Sequence, residues 1–256
     1  MAYFERIGRD EFRATEHVGG AWKIEEQHIA PALGLLCQLV EQDRDRRRSD
    51  GLQIGRLGYD IYGTVPVAEV TVAVEVIRPG RTIELVEATL SHAGRMIVRL
   101  RAWLLSERDT SAIAATPLPT IPGPDEIEPW HPAKLWPGGF ISSVEVRRAQ
   151  VEPGRACFWV RTDHAVIDGE PGSPLAAAVG LFDIANGMTV RADPREVAFP
   201  NLDLTAHLFR SPEPGWIGFD TSVSFGAAGL GLTSSVLHDV RGPIGTLAQS
   251  LTVRPL

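Results

Sequence analysis

The sequence contains an internal repeat, and this repeat limits the possible folds more than any other feature. Four groups of residues recur in the same order at offsets between 143 and 148 residues: Leu33-Gly34-Leu35 with Val179-Gly180-Leu181, Asp60 with Asp203, His92 with His238, and Gly94 with Gly242. Self-similarity of this kind is typical of a duplicated structural unit. We therefore expect two similar folding units within the 256 residues.

The pattern of apolar residues predicts similar elements in both copies. In the first copy, an apolar segment at 30–41 suits a buried helix with Pro31 in its first turn, and strand-like runs follow at 52–62, 67–76, 82–92 and 96–105. In the second copy, Ser173 and Pro174 open a helix that Asn186-Gly187 closes. Strand-like runs of this copy lie at 139–150, 156–163, 197–209, 215–225, 230–239 and 244–253.

A proline-rich segment separates the two copies. Seven prolines lie within residues 107–138, and because proline lacks a backbone donor, this segment is predicted to be an extended linker. Its tryptophans, Trp130 and Trp136, are expected to pack on a surface. We call residues 1–106 the first half and residues 139–256 the second half, and we expect each to be a domain.

One long helix against a strongly curved antiparallel sheet, repeated in tandem, is the plan of an α+β double hot-dog fold. Each half would then be a central helix wrapped by its own sheet. Joining the two sheets edge to edge would protect strands that otherwise invite aggregation.

Charge and hydropathy narrow the choice of partners and compartment. The net charge of −7 argues against nucleic acid, because phosphate binding needs clustered Lys and Arg. No apolar run approaches the ~18 residues of a membrane span, and the N-terminus lacks a signal-peptide core, so we expect a cytoplasmic protein outside the membrane. The basic run at 44–48 is either a solvated helix end or a contact for an anionic tail such as the CoA phosphates.

Several common catalytic motifs are missing from the sequence. Neither a G-x-S-x-G elbow nor a P-loop occurs, and Gly229-Leu230-Gly231 precedes a strand pattern, which favours a turn. The histidines are scattered, and Cys37 and Cys157 have no ligand spacing. We therefore expect neither a metal nor a cofactor.

Polar residues inside apolar strands of the second half are the remaining candidates for a site. Asp203 lies between two leucines, Gln249 lies in a similar setting, and Ser224 ends an apolar run. Burying a carboxylate is costly unless it is hydrogen-bonded. Each residue therefore marks either a functional site or the solvent-facing side of a sheet, and the residues alone leave both interpretations open.

Two short motifs resemble type II acyl-CoA thioesterases. They are Leu202-Asp203 followed by Arg210, and the C-terminal run Gln249-Ser250-Leu251-Thr252-Val253-Arg254. The resemblance implies an acyl-CoA substrate, a homo-oligomer, and a hydrolytic water oriented by an Asp, a Ser or Thr, and a Gln. These roles fall on Asp203, Ser224 and Gln249, with Thr221 as the substitute hydroxyl. The chain departs from the family at residues 28–31, where His-Ile-Ala-Pro replaces a glycine pair.

The resemblance also predicts which of the two halves is catalytic. Backbone N–H groups at the start of the second-half helix would polarise the thioester carbonyl, and Gly172, Ser173 and Leu175 are the nearest candidates. In the first half, Asp60 takes the place of Asp203, while arginines at 78 and 101 replace Ser224 and Gln249. We therefore expect a structural first half and a catalytic second half.

Two other functions remain open at this point. An enoyl-CoA hydratase would need a paired Asp and His, and Asp203 with His207 is the available pair. Residues four apart on a strand lie roughly 13 Å apart, which is a poor distance for a shared site. The second alternative is a non-catalytic protein that binds acyl-CoA without cleaving it.

Overall fold

The structure is a computed structural model, and it describes residues 1–20 and 22–256. Its α-helices are α1 (Ile29–Arg47), α2 (Gly139–Ser142), α3 (Pro174–Val179) and α4 (Ala185–Met188). Short 3-10 turns lie at Glu16–Val18, Ser111–Ile113, Pro124–Glu126, Pro132–Lys134 and Phe182–Ile184. None of the described helices combines the length and the apolar character that crossing a bilayer requires.

Eighteen strands accompany these helices along the described chain. Those up to the end of the first half are β1 (Ala2–Arg6), β2 (Glu11–Ala14), β3 (Gly19–Gly20), β4 (Lys23–Gln27), β5 (Gln53–Ile61), β6 (Glu69–Arg78), β7 (Ile83–His92) and β8 (Arg95–Leu105). The remainder are β9 (Pro129–Trp130), β10 (Val144–Glu152), β11 (Arg155–Thr162), β12 (Ala165–Ile167), β13 (Val197–Ala198), β14 (Asp203–Leu208), β15 (Ile217–Phe225), β16 (Leu230–Asp239), β17 (Gly242–Thr252) and β18 (Arg254–Pro255).

Fourteen strands form one large curved sheet that runs through both halves. Their order is β12-β1-β2-β6-β7-β8-β5-β14-β17-β16-β15-β11-β10-β9. The halves join at the antiparallel pair β5–β14, where Asp60 faces Asp203 and Arg56 faces His207. Two residues matched by the sequence repeat therefore meet at the junction, and neither β5 nor β14 is left as an open edge.

Helix α1 is buried between the sheet and the helical segment of the second half. Every residue from Ala30 to Val40 is buried, as expected for an apolar segment of this length. The helix contacts α3 where Gly34 meets Gly180, the central residues of another matched pair: a Cβ added at Gly34 would lie 2.9 Å from the Cα of Gly180. The absence of side chains at this point lets the two helices approach closely.

The helix predicted in the second half is interrupted. Ser173 caps α3 as expected, and its Oγ accepts a hydrogen bond from the Ala176 N–H at 2.9 Å. The α-helix ends at Gly180, where the low helix propensity of glycine favours a break, and a 3-10 turn and α4 follow. The strand predicted at 197–209 is also interrupted, since Pro200 separates β13 from β14.

The proline-rich segment packs against the second half. Trp136 is buried, and the indole N–H of Trp159 donates to the Pro122 carbonyl at 2.8 Å. Besides 3-10 turns, the segment contains β9, which pairs with β10. The expected packing of its tryptophans is thus confirmed for Trp136, whereas the domain boundaries at 106 and 139 stay a prediction.

The basic run at the end of α1 is held by carboxylates within the chain. Arg44 pairs with Asp45, while Arg47 and Arg48 both pair with the buried Glu84. These ion pairs support the interpretation of the run as a helix end.

Candidate active site

The three residues predicted to be catalytic do not meet in the structure. Side chains alternate along a strand. Gln249 on β17 therefore points into the core and is 1% exposed, whereas Ser224 on β15 is exposed on the outer face. Asp203 accepts a hydrogen bond from the backbone N–H of Ser250 at 2.6 Å. Three strand spacings separate β15 from β14, which is about 14 Å. Of the three residues, only Gln249 faces the interior, so the structure does not bring the predicted triad together, and its catalytic role stays a prediction.

The residues predicted to bind substrate lie away from Gln249, are hydrogen-bonded to other residues, or are buried in the core. The Ser173 hydroxyl caps α3 and also bonds to the Glu41 carboxylate, and with Gly172 it lines a cavity of about 250 Å³. Leu175 is buried in the core. Thr221 is buried and shares a hydrogen bond of 2.7 Å with the Ser235 hydroxyl. The start of α3 thus lines a cavity that does not include Asp203, Ser224 or Gln249.

A second cavity, of about 120 Å³, lies between the two halves. First-half residues contribute to it from β4, the start of α1 and the end of β5; the second half contributes residues 183–188 and 199–201. The first half thus contributes Gln27, His28 and Ile29 to the same cavity as Asp183, whereas the expected division into a structural and a catalytic half stays a prediction.

Asp183 is the buried carboxylate of this cavity. It lies in the 3-10 turn that follows the break at Gly180 and is 5% exposed. Its Oδ1 accepts hydrogen bonds from Asn201 Nδ2 at 2.6 Å and from Gln249 Nε2 at 2.9 Å. Burial penalises the charged form and raises the pKa of Asp183 to about 7, although the two amides oppose the shift. A carboxylate with such a pKa can exchange a proton near neutral pH.

One amide donor lies on a strand, and the other lies on the segment just before β14. Gln249 lies on β17, and Asn201 forms an isolated antiparallel bridge with Leu251, two residues further along β17. Asn201 Nδ2 also donates to the backbone carbonyl of Asp203 at 3.2 Å, which fixes the orientation of the amide. Because Asn201 and Gln249 both bind Oδ1, Asp183 keeps Oδ2 without a hydrogen-bond partner among the described residues.

Two further side-chain oxygens, one of them on Gln249 itself, are buried without a hydrogen-bond partner in the described part of the chain. They are Gln249 Oε1 and the hydroxyl oxygen of Thr233, and these two residues face each other across β16 and β17. Unpaired buried polar atoms are rare in folded proteins, and they often mark a position that binds water or ligand. Thr233 is therefore an inward-facing hydroxyl next to Gln249, whereas Ser224 is exposed and the buried Thr221 is bonded to Ser235.

The start of α1 lines the cavity with His28 and Ile29. His28 caps the helix through Nδ1, which accepts from the Ala30 N–H at 3.2 Å, and burial lowers the pKa of His28 to about 3. The ring is therefore neutral near pH 7. Proline at position 31 has no N–H, so Ile29 has the first-turn N–H that remains free among the described residues, at the positive end of a 19-residue helix.

The first-half counterpart of Asp203 has a different partner from the predicted one. Asp60 pairs with Arg99 at 2.7 Å because the two residues face each other across β5 and β8. Arg101 instead binds Glu87, and Arg78 donates to the Ile83 carbonyl. Asp60 is thus ion-paired as expected, but by the arginine opposite it in the sheet.

Sequence reasoning missed Asp183 because it lies inside the apolar segment predicted to be a helix. The signal was present: Asp183 stands between Phe182 and Ile184, as Asp203 stands between two leucines. A carboxylate in a buried helical segment is at least as unusual as one on a strand that has a solvated face. The same criterion applied to helices would have selected Asp183.

Two family models match the chain, one over most of the first half and the other over the second half. Residues 18–105 match a family model described as the acyl-CoA thioesterase N-terminal domain, and residues 119–253 match the acyl-CoA thioesterase C-terminal domain. No curated protein matches the sequence.

Several solved structures share the fold over nearly the whole chain. A candidate thioesterase from Novosphingobium aromaticivorans is 20% identical, covers 99% of both chains and has a TM-score of 0.75. A conserved protein with a hot-dog fold from Alicyclobacillus acidocaldarius is 15% identical, with 98% of this chain and 95% of that chain covered and a TM-score of 0.74. The acyl-CoA thioesterase II TesB2 from Mycobacterium marinum is 15% identical, covers 99% and 96%, and has a TM-score of 0.70. The expected double hot-dog fold is confirmed.

Proposed function

Because the chain belongs to the acyl-CoA thioesterase family, we propose that it hydrolyses an acyl-CoA thioester to a free acid and coenzyme A, with Asp183 as general base. The family and the hot-dog fold support thioester hydrolysis in general terms. The assignment of the reaction to the cavity between the halves is our own, and it replaces the site predicted around Asp203.

The proposed reaction needs one water and no covalent intermediate. Asp183 Oδ2 takes a proton from the water while the water oxygen attacks the thioester carbon. The carbonyl oxygen, which becomes negative, accepts a hydrogen bond from the Ile29 N–H at the start of α1. When the intermediate collapses, the carbon–sulfur bond breaks and the thiolate of coenzyme A receives the proton from Asp183.

Asn201 and Gln249 are positioning residues in this proposal. Their amide N–H groups hold Oδ1 of Asp183, so that Oδ2 is directed to the water. The single observation that carries the proposal is a cavity-lining carboxylate with a pKa of about 7 held by two amides.

Replacing Asp183 tests the proposal against the site predicted from the sequence. Asp183→Asn keeps the shape and the two amide contacts but cannot accept a proton, so we expect kcat to fall by about 10²–10⁴. Asp203→Asn is the matched control, and Ser224→Ala is a second one; both should retain at least half of the activity. Release of the CoA thiol is measured with a thiol reporter over a panel of acyl-CoAs.

Measurements on the same proteins and acyl-CoA thioesters also distinguish the other functions. If Asp183→Asn were fully active and Asp203→Asn were inactive, the active site would lie at Asp203, on the outer face of the sheet. Binding of acyl-CoA without thiol release would identify a non-catalytic binding protein, and loss of enoyl absorbance would identify a hydratase. The expected homo-oligomer, proposed on the family resemblance alone, is measured by light scattering on a sizing column.

A further inference from the structure

We infer that three aromatic side chains, Trp22, Trp136 and Phe199, limit the acyl group of the substrate to about one aromatic ring or six carbons. This inference rests on the proposed hydrolysis of acyl-CoA and adds the class of acyl group to it. All three residues line the cavity that contains Asp183. We call them the aromatic wall.

The rings of the aromatic wall hold one another in edge-to-face contact. The Trp22 ring lies 5.1 Å from the Trp136 ring at 81° and 5.4 Å from the Phe199 ring at 82°. Trp136 and Phe199 are 6.0 Å apart at 86°. Edge-to-face geometry at these distances is a favourable arrangement for aromatic pairs. Moving one ring therefore loses its contacts with both of the others.

Two of the rings are also anchored outside the wall. The indole N–H of Trp136 donates to the Gly187 carbonyl at 2.8 Å, and Trp136 is 5% exposed. Phe199 is 1% exposed and packs on Phe225, with ring centroids 5.6 Å apart. A substrate that displaced Trp136 would leave a buried N–H without its partner, which is costly.

The backbone segments next to the two tryptophans are in contact. Gly20, with φ of +126°, and Gly138, with φ of +128°, lie so close that a Cβ on Gly138 would be 2.3 Å from the Gly20 Cα. Glycine alone accommodates both the positive φ and the approach. This contact ties the linker residue Trp136 to the first-half segment next to Trp22.

The cavity inside the aromatic wall is small. Its volume is about 120 Å³, and buried apolar residues such as Ile141, Ile184 and Met188 line it. An apolar cavity of roughly 150 Å³ holds one benzene molecule. The cavity is somewhat smaller than this, so it suits a short acyl chain or, at most, a single ring. A chain of twelve carbons would have to displace a ring of the wall or remain in water.

A panel of acyl-CoA thioesters tests the size limit on the intact protein. We compare kcat/KM for butyryl-, hexanoyl-, benzoyl-, octanoyl- and dodecanoyl-CoA by thiol release. Hexanoyl- or benzoyl-CoA should be hydrolysed at least about tenfold more efficiently than dodecanoyl-CoA. The comparison of kcat/KM between hexanoyl-CoA and benzoyl-CoA shows whether a straight chain or a ring fits better.

Variants of the aromatic wall should shift this preference. In Trp22→Leu and Trp136→Leu, the ratio of kcat/KM for dodecanoyl-CoA to that for hexanoyl-CoA should rise at least about tenfold. Trp22 is 40% exposed, so its replacement leaves the fold intact even if the Trp136 variant does not fold. Trp216, which stacks under Arg147 and Arg161 outside the cavity, is the matched control, and Trp216→Leu should leave the ratio unchanged.

The outcomes distinguish this inference from the proposed function. A wild-type preference for dodecanoyl-CoA, or an unchanged ratio in Trp22→Leu, would overturn the size limit while hydrolysis itself stands. A wild-type protein that cleaves none of the thioesters would overturn the proposed function and the size limit with it.

Discussion

Asp183 and Asp203 look alike in the sequence but have opposite surroundings in the fold. Each stands between two large apolar residues. Asp203 faces the outer side of the sheet and accepts a backbone N–H from Ser250. Asp183 faces the cavity and, within the described part of the chain, accepts only the amides of Asn201 and Gln249. Neutral amides compensate burial less than a cation would, and this is why the pKa of Asp183 stays high, at about 7.

The pKa of Asp183 predicts the pH dependence of the reaction. A general base acts only when deprotonated, so kcat/KM should be low below pH 6, rise tenfold per pH unit there, and reach a plateau above about pH 8. His28 lines the same cavity, but its pKa of about 3 leaves it neutral throughout this range. Thiol release with a reporter that is insensitive to pH checks the profile. A flat profile between pH 5.5 and 8.5 would show that Asp183 is not the base.

At the level of elements, the contact between α1 and α3 brings the two halves together. Gly34 and Gly180 are partners in the sequence repeat, yet they are not equivalent in space. A Cβ at Gly34 would lie 2.9 Å from the Gly180 Cα and 3.0 Å from the Ala176 carbonyl oxygen, whereas a Cβ at Gly180 would meet its nearest atom at 3.4 Å. The clash at Gly34 is with backbone, which cannot move aside as a side chain can.

Alanine substitutions at the two glycines should therefore differ in effect. We expect Gly34→Ala to destabilise the protein by about 1–3 kcal/mol, since α1 and α3 must separate to admit the methyl group. Gly180→Ala should change the free energy of unfolding by less than about 1 kcal/mol, because its φ of −61° suits alanine and the contact is ordinary. Urea unfolding of the two variants gives the comparison. Equal destabilisation would mean that the helix contact is looser than described.

At the scale of the whole molecule, the repeat predicted the architecture, but it could not predict the site. Periodicity identified α1 and most strands of the sheet, because local patterns determine which face of an element is buried. The cavity arises instead from segments far apart in the chain: β4, the start of α1, residue 136 and residues 183–201. No local pattern shows that Asn201 and Gln249 converge on Asp183, since this depends on the pairing of strands. Gln249 is buried in its apolar strand, whereas Asp203 and Ser224 lie on the other face of the sheet.

The connections between the halves predict that they unfold together. The sheet passes from one half to the other at β5–β14, and the N-terminal strand β1 pairs in parallel with β12 of the second half. On the same strand, the Tyr3 hydroxyl bonds to Ser143 Oγ at 2.8 Å and to Thr162 Oγ1 at 3.1 Å. Because strands of each half complete the sheet of the other, loss of one half would expose unpaired edges and buried apolar surface in the other.

We therefore expect a single cooperative unfolding transition. Hydrogen exchange followed by mass spectrometry at increasing urea should show peptides of β8 and β16 losing protection at the same urea concentration, although they belong to different halves. Gly34→Ala should lower both midpoints equally, because the contact it disturbs is shared by the two halves. If β8 lost protection at a clearly lower urea concentration than β16, the halves would be independent folding units, and the cavity between them would open before the rest of the protein unfolds.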